Sequence, residues 1–399
     1  MKSKTLKRYF LGIALIFSIL LNLFFYFVEI HPIILKKIHK DKYLTSSDAN
    51  NHKSLIVKAA LQVNLSQNTK MKFGTPDNFF QEVRKLRNSH QEKIFEEYNY
   101  LKAFLLNGLI EYGIKRKDTV ILNRIPDIFR NYINAKGEIL FEMNKVDQAT
   151  FGLAFIETEQ YTHHPEYKKG IDLIYKFLKD SINKKHNIII YRNKDSHQFV
   201  DALGMVCPFL IKYGVTYHDT LALGIANREI NYYIKYGLEA NTHFPFHAIE
   251  LDNKIRLGPS TWGRGIGWYA IALAYSIHYT NKHNNPYYKV FENEMNIIYN
   301  NLNKLRYNNC WGQFINGDEN EQVDTSTTAL LLLAFNIAGK ESLTDEAIAH
   351  IFRKYTTTEG YIDFTSGDTF DINRYSTEFG KSELTQGLIL SLYSNAKNE

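Results

Sequence analysis

Gly258-Pro-Ser-Thr-Trp-Gly-Arg-Gly-Ile-Gly-Trp-Tyr-Ala-Ile-Ala-Leu-Ala-Tyr275 is a glycine-punctuated turn that runs straight into an apolar helix. Glycine lets a backbone take unusual dihedrals and approach a ligand closely. The turn carries Trp262, Arg264 and Trp268. Two indoles beside a guanidinium suit the flat face and the acid group of a sugar acid. Alone, the same residues also read as a helix start with a packed tryptophan and a surface arginine. The rest of the chain decides between the two.

Outward from this stretch the pattern is helical almost throughout. Apolar residues recur at i, i+3, i+4 and i+7, as in Phe104, Leu105, Gly108, Leu109 and Tyr112. The spacing predicts helices near 76–97, 98–116, 118–135, 147–161, 165–184, 197–213, 217–236, 262–281, 286–304, 324–338, 343–357 and 382–396. Gly113, Gly137, Gly214, Gly237 and Gly339 mark helix ends, and Pro165 and Pro286 mark starts. Strand-like pieces occur only locally, at 188–192 and 244–249. Short turns between long helices predict antiparallel hairpins. Paired helices of this number close into a ring with a pocket where the loops meet, or stack as an open solenoid. No linker rich in proline or glycine divides 76–399, which reads as one domain.

The N-terminus differs in kind. Residues 1–9 are a short basic tail. Phe10 to Val28 is an apolar run whose clearly polar members are Ser18 and Asn22. At ~1.5 Å per residue it reaches ~28 Å, near the ~30 Å hydrocarbon core of a bilayer. Residues 10–35 are therefore expected to be a transmembrane anchor, uncleaved because no A-x-A site follows. Residues 36–75 read as a juxtamembrane tether with one short helix near Leu55–Leu65. The net charge of +6 comes from residues 1–42, with eight Lys/Arg against Glu29 and Asp41. The remainder carries 40 basic and 40 acidic side chains, so the body is not a bulk nucleic-acid binder. The placement of the basic residues leans to an inside N-terminus and an exported body. That implies a single-pass protein of the inner (cytoplasmic) membrane with a periplasmic or extracytoplasmic domain. Cys207 and Cys310 have no metal-ligand or C-x-x-C spacing and are expected to be two separate buried thiols.

Sugar chemistry needs a proton donor and a group that steers water, usually carboxylates in a pocket. Asp147, in Val146-Asp147-Gln148-Ala149-Thr150-Phe151-Gly152, opens a helix and suits an N-cap as well as a pocket. Asp201 lies in the apolar run Phe199-Val200-Asp201-Ala202-Leu203-Gly204-Met205. Burial there favours the protonated form that a general acid requires. His247 follows Phe244-Pro245-Phe246, and Trp311-Gly-Gln313 places a third indole beside an amide. Asp324-Thr-Ser-Thr-Thr is read as a helix cap. His163-His164 has no partner at metal spacing, so no metal site is expected.

The ordered set Val146-Asp147…Gly152, Asp201…Met205…Pro208-Phe209-Leu210, Phe246-His247-Ala248, Trp262-Gly-Arg264-Gly-Ile-Gly267-Trp268, Trp311-Gly-Gln313 and Asp324-Thr-Ser-Thr-Thr-Ala329 resembles the unsaturated rhamnogalacturonyl and glucuronyl hydrolases, members of the six-hairpin glycosidase superfamily. The resemblance implies an all-α (α/α)6 barrel, a six-hairpin toroid, preceded here by the N-terminal transmembrane helix. It implies Asp147 and Asp201 as the functional pair, with Asp201 the proton donor. The implied reaction is protonation of a 4,5-unsaturated uronic acid at C4, addition of water at C5, and opening of the hemiketal. No metal or organic cofactor is implied. Trp262, Trp268 and Trp311 would be stacking walls, with Gln313 beside them. Arg264 would meet a substrate carboxylate, and His247 would hydrogen-bond substrate or position water. The expected partners are an oligo- or polysaccharide and, through residues 10–28, a membrane. A second reading is a capsule or exopolysaccharide biosynthesis or export protein whose helical domain binds or trims nascent polymer. A third is an epimerase or lyase on the same ring, since fold alone does not fix chemistry.

Overall fold

The computed structural model describes residues 2–27, 42–44, 52–66, 98–191, 196–280, 285–317, 322–340, 344–369 and 371–395. The chain divides into two units, Met1–Lys42 with Asp77–Asn88, and Tyr43–Pro76 with Ser89–Glu399. Of the first unit, helix α1 (Lys2–Phe25) is described, and the apolar side chains from Tyr9 to Phe27 along and just past it are exposed. No helix among the described residues is long and apolar enough to cross a membrane, so the transmembrane helix expected at 10–28 is not shown. The helix expected at 76–97 lies outside the described residues.

The second unit is the ring. Its elements are α2 (His52–Leu65), α3 (Tyr100–Arg116), α4 (Thr119–Leu122), α5 (Ile125–Phe129), a 3-10 turn (Val146–Thr150), α6 (Phe151–Thr162), α7 (Tyr167–Asp180), α8 (Val200–Thr216), α9 (Thr220–Tyr236), α10 (Gly263–Tyr279), α11 (Tyr288–Lys304), α12 (Thr325–Ile337), α13 (Thr344–Tyr355) and α14 (Glu383–Asn395). Helices α3, α6, α8, α10, α12 and α14 each pack against the next, and α14 packs back on α3, closing an inner circle. Each inner helix but the last is followed by an outer one. The pairs are α3 with α4–α5, α6 with α7, α8 with α9, α10 with α11, and α12 with α13.

Composition sorts the two layers. Inner α14 is buried at every residue from Glu383 to Ser394, whereas outer α7 buries only Gly170, Ile171, Ile174, Tyr175 and Leu178. A helix apolar all round belongs inside, and a single stripe belongs outside. Two glycines let the circle close: a Cβ on Gly108 would sit 2.2 Å from the Gly387 carbonyl oxygen. Asn99, Asp118, Asp219 and Asp324 accept backbone N–H groups at the starts of α3, α4, α9 and α12.

Two expectations change. Residues 52–65, read as a tether with one short helix at 55–65, form α2, a helix of the ring and the outer partner of the last hairpin. Ile56 and Ala60 are fully buried, α2 packs on α3 and α14, and the Ile56 carbonyl accepts from Gln386 Nε2 at 3.1 Å. The barrel therefore starts well before residue 76. The single helix expected over 118–135 is broken between Leu122 and Ile125, where Pro126 enters the first turn of α5. Proline lacks an N–H and disfavours helix in the residue before it.

Strands are few and short. β1 (Ile182–Asn183) pairs antiparallel with β2 (Ile188–Ile189). β3 (His197–Phe199), β4 (Ala248–Glu250) and β5 (Arg256–Leu257) form an antiparallel sheet in the order β3-β4-β5. β6 (Thr365–Ser366) pairs antiparallel with β7 (Phe379–Gly380). Cys207 and Cys310 are free and buried.

Candidate active site

The inner helices all run the same way, so their N-terminal ends meet at one end of the ring. Tyr100 starts α3, Asp147 precedes α6, Asp201 starts α8, Arg264 starts α10, and Asp324 caps α12. The β3-β4 register brings two of the expected residues together. Phe199 pairs with Ala248, and the Val200 N–H donates to the His247 carbonyl at 2.9 Å. Asp201 lies two residues beyond β3 and His247 one before β4. Their side chains meet, with His247 Nε2 3.5 Å from Asp201 Oδ2. His247 is buried, and its Nδ1 is 2.7 Å from the Tyr375 hydroxyl. Its ring lies 4.5 Å from the Trp262 indole, which also faces Tyr375 at 5.4 Å. Gly258, at φ +79°, makes this possible: a Cβ there would sit 2.6 Å from His247 Cβ. Trp262 Nε1 is buried without a hydrogen-bond partner.

Asp147 is the more buried of the two aspartates. It is wholly sealed and caps no helix. Burial raises its carboxyl to about 6, against the pull of Lys145 and of the nearby Tyr191 hydroxyl. Asp201, expected to be the buried acid, keeps 16% of its side chain exposed. It is the carboxyl of the pair that a ligand reaches.

Four residues that sequence reasoning missed complete the site: Tyr100, Tyr191, Asp368 and Tyr375. Tyr100 donates to Asp368 Oδ1 at 3.0 Å. Burial, followed by the fields of nearby carboxylates, raises the phenol pKa of Tyr100, Tyr191 and Tyr375, so all three stay hydrogen-bond donors. Burial also raises Asp368, opposed by Arg264 and by the Tyr100 hydrogen bond. The readable signal was position: an aromatic or acidic residue at the start of each inner helix belongs at this rim. Tyr191, Asp368 and Tyr375 lie in loops and carry no such mark.

Arg264 is buried, and its Nη2 donates to the Gly367 carbonyl at 2.6 Å. Its guanidinium carbon lies 5.7 Å from the Trp262 ring centre. Burial works against its charge, but Tyr100, Asp368, Asp324 and Asp201 more than offset that and hold its pKa above the ordinary value. Two further residues hold the loops. Asp324 accepts from Ser366 N at 3.1 Å and Ser366 Oγ at 2.6 Å, which fixes the strand leading to Asp368. Gln313 Nε2 donates to the Ser376 carbonyl at 2.9 Å, next to Tyr375.

Trp311 is not brought to this cluster, and Trp268 meets it only behind Tyr100. Trp268 is one turn into α10 and packs between Tyr100 and Phe104, over Gly204. Trp311 is buried, donates to the Leu302 carbonyl at 2.9 Å and packs on Phe335. A tryptophan beside glycine reads alike in sequence whether its ring faces a pocket or the core. Among the described residues no group of three or more His, Cys, Asp and Glu is placed to hold a metal ion.

A ring of helical hairpins with carboxyls gathered at the N-terminal rim describes a six-hairpin glycosidase. The profile of Glycosyl Hydrolase Family 88 matches residues 78–357, and the chain belongs to that family and is a glycoside hydrolase. Solved structures share the fold. A family 105 glycoside hydrolase from C. acetobutylicum has 17% identity and a TM-score of 0.66, over 80% of this chain and 98% of that one. A possible family 105 member from Salmonella enterica serovar Paratyphi A has 16% identity and a TM-score of 0.69, over 86% and 94%. A family 88 hydrolase from Bacteroides vulgatus has 13% identity and a TM-score of 0.58, over 79% and 97%. At these identities the likeness is one of fold. No curated protein matches the chain.

Proposed function

We propose that this hydrolase acts on unsaturated or acidic oligosaccharides, with Asp201 as the proton donor. The observation that carries the reading is the line Tyr375–His247–Asp201, which ends on the partly exposed carboxyl. Tyr375 holds the imidazole through Nδ1, which leaves Nε2 turned toward Asp201. In the reaction, the Asp201 carboxyl gives its proton to C4 of a 4,5-unsaturated uronic acid. The developing cation at C5 takes up water, and the water returns a proton to the Asp201 carboxylate. The hemiketal then opens and releases the aglycone. Asp147 lies behind this exchange as a second carboxyl whose proton state is set by burial. Trp262, packed against His247 and Tyr375, backs the sugar site. Arg264 turns its charge toward the substrate carboxylate from beneath the rim.

The test is the ultraviolet absorbance of the conjugated enol ether, which disappears as the substrate is hydrated. Wild type is expected to consume an unsaturated uronyl disaccharide. Asp201→Asn is expected to lower kcat by about 10²–10⁴-fold, the usual share of general acid–base catalysis. Unimpaired turnover by Asp201→Asn removes Asp201 from the role.

The exposed apolar side chains of α1 support a further part of the proposal. Residues 10–28 tie the enzyme to the inner (cytoplasmic) membrane as a single pass, with the ring on the periplasmic or extracytoplasmic side. Surface this apolar is stable in water only when covered. The full chain is expected to need detergent for extraction, and a chain lacking residues 1–42 to wash free in salt. Equal behaviour of the two chains rules the anchor out.

A further inference from the structure

The rim gathers carboxyls around one guanidinium. Asp201, Asp324 and Asp368 all support the charge of Arg264, and Asp147 lies within the field of Asp368. A uronate would add one more negative charge to this group. Like charges partly shielded from water disfavour one another, so one carboxyl must hold a proton while the uronate is seated. Position excludes three of them. Asp147 is sealed. Asp201 commits its proton to C4. Both oxygens of Asp324 are taken: Oδ1 by Ser326 N, Ser326 Oγ and Ser366 N, and Oδ2 by Thr327 Oγ1 and Ser366 Oγ. Asp368 is left. It lies two residues beyond β6, and Arg264 Nη2 donates to the carbonyl of Gly367 just before it at 2.6 Å. Its Oδ1 accepts from the Tyr100 hydroxyl at 3.0 Å and from Thr369 N at 2.9 Å. Among the described residues no donor reaches its Oδ2, and Asp368 is half-buried rather than sealed.

We propose, on the reading of this rim as the sugar site, that Asp368 determines specificity for the substrate's acid group. Its Oδ2, protonated, donates a hydrogen bond to the carboxylate that Arg264 faces; charged, it repels that carboxylate. Two carboxyls side by side then share one proton, the arrangement that close carboxylate pairs adopt. Burial favours the proton on Asp368 against the Arg264 charge and the Tyr100 and Thr369 hydrogen bonds, and the Asp201 charge adds to burial. Groups face Asp368 from several elements. Tyr100 stands on α3, Asp147 on the 3-10 turn, Tyr191 just after β2, Asp201 on α8 and Arg264 on α10. Asp324, at the start of α12, holds Ser366 two residues before it. Arg264 is the single cation among these groups, so its pull is divided. A free uronate is therefore held best while Asp368 keeps its proton. A uronate ester carries no charge to repel and is indifferent to the state of Asp368.

The experiment uses the full chain at pH 5 and pH 8. Calorimetry compares D-glucuronate with its methyl ester, and the absorbance assay compares an unsaturated uronyl disaccharide with its methyl ester. In wild type the affinity for the free acid is expected to fall about tenfold from pH 5 to pH 8, and its KM to rise as much, the scale of one added like charge partly screened by water. The esters are expected to change far less. Asp368→Asn keeps the shape and offers an N–H to the carboxylate at either pH, so it is expected to bind the acid nearly as well at pH 8 as at pH 5. Asp147 and Asp201 are the same in both proteins, so the difference between the profiles belongs to Asp368. The melting temperature establishes that the variant folds, and the acid–ester comparison in wild type needs no variant. Acid and ester that weaken alike, an acid profile unchanged in Asp368→Asn, or no binding of either sugar overturns the inference. Weakening confined to the acid and absent from Asp368→Asn supports it. The same pattern without turnover of either disaccharide still supports it, and overturns instead the hydrolysis assigned to Asp201.

Discussion

Sealed from water, the Asp147 carboxyl is raised to about 6 by desolvation. The sign of its effect on stability follows. Its pKa is raised from 3.8, so between pH 3.8 and about 6 the folded chain keeps a proton that the unfolded chain has lost. Stability therefore falls as pH rises through that window and stays reduced above it. Asp147→Asn removes the ionisation. At pH 7 it is expected to stabilise the fold by up to about 3 kcal/mol, from a shift of roughly two units, while activity falls. Urea unfolding at pH 5 and pH 7.5 checks this. A variant less stable than wild type at pH 7.5 would show that the charge is solvated or paired. At this scale the sequence was partly legible. Asp201, His247 and Trp262 lie together, as the order of motifs along the chain suggested for a shared rim. Asp368 meets Tyr100 across 268 positions, a contact that no local pattern signals.

The short β3-β4-β5 sheet does more for the site than its length suggests, because its register sets Asp201 against His247. It is clamped from outside by Glu229 on α9. The Glu229 carboxyl accepts from Ile189 N at 2.9 Å and from Gln198 Nε2 at 2.9 Å. Burial raises Glu229 from 4.5 to about 8, against the pull of these donors and of Arg228. Below pH 4.5 both states hold the proton. Between pH 4.5 and about 8 only the folded state does, so stability falls with rising pH at up to about 1.4 kcal/mol per unit. Glu229→Gln keeps the shape and cannot ionise. Its stability is expected to be flatter over that range and to exceed wild type at pH 9. Parallel pH profiles for the two proteins would place the Glu229 charge in water. Helix elements were readable because apolar period and caps agree, as at Asp219 and Asp324. The strand pairing was not, since β3 and β4 are three residues each and some fifty positions apart. Only the helices around them fix that meeting.

At the scale of the molecule, ring closure depends on a segment whose sequence looks like a spacer. Helix α2 has a weak apolar face in a Lys-, Asn- and Ser-rich stretch, yet it buries Ile56, Ala59, Ala60 and Leu61. It lies over the joint where α14 meets α3, the first and last inner helices. Its contacts join residues far apart in the chain: Gln386 Nε2 donates to the Ile56 carbonyl at 3.1 Å and to the Gly360 carbonyl at 2.9 Å. A Cβ on Gly360, which has φ +91°, would sit 2.3 Å from the Leu55 carbonyl oxygen. Removing α2 would expose apolar surface on both inner helices and strand the Gln386 amide. At roughly 1.5–3 kcal/mol for each large apolar side chain uncovered, the loss is comparable with the ~5–15 kcal/mol that holds a typical domain together. A chain lacking residues 1–42 is therefore expected to melt cooperatively, as the full chain does. One lacking residues 1–66 is expected to aggregate or to melt broadly at a much lower temperature. Calorimetry on the two truncations decides it: matching transitions would mean that the ring closes without its outer twelfth segment, and that α2 is the tether its composition suggested.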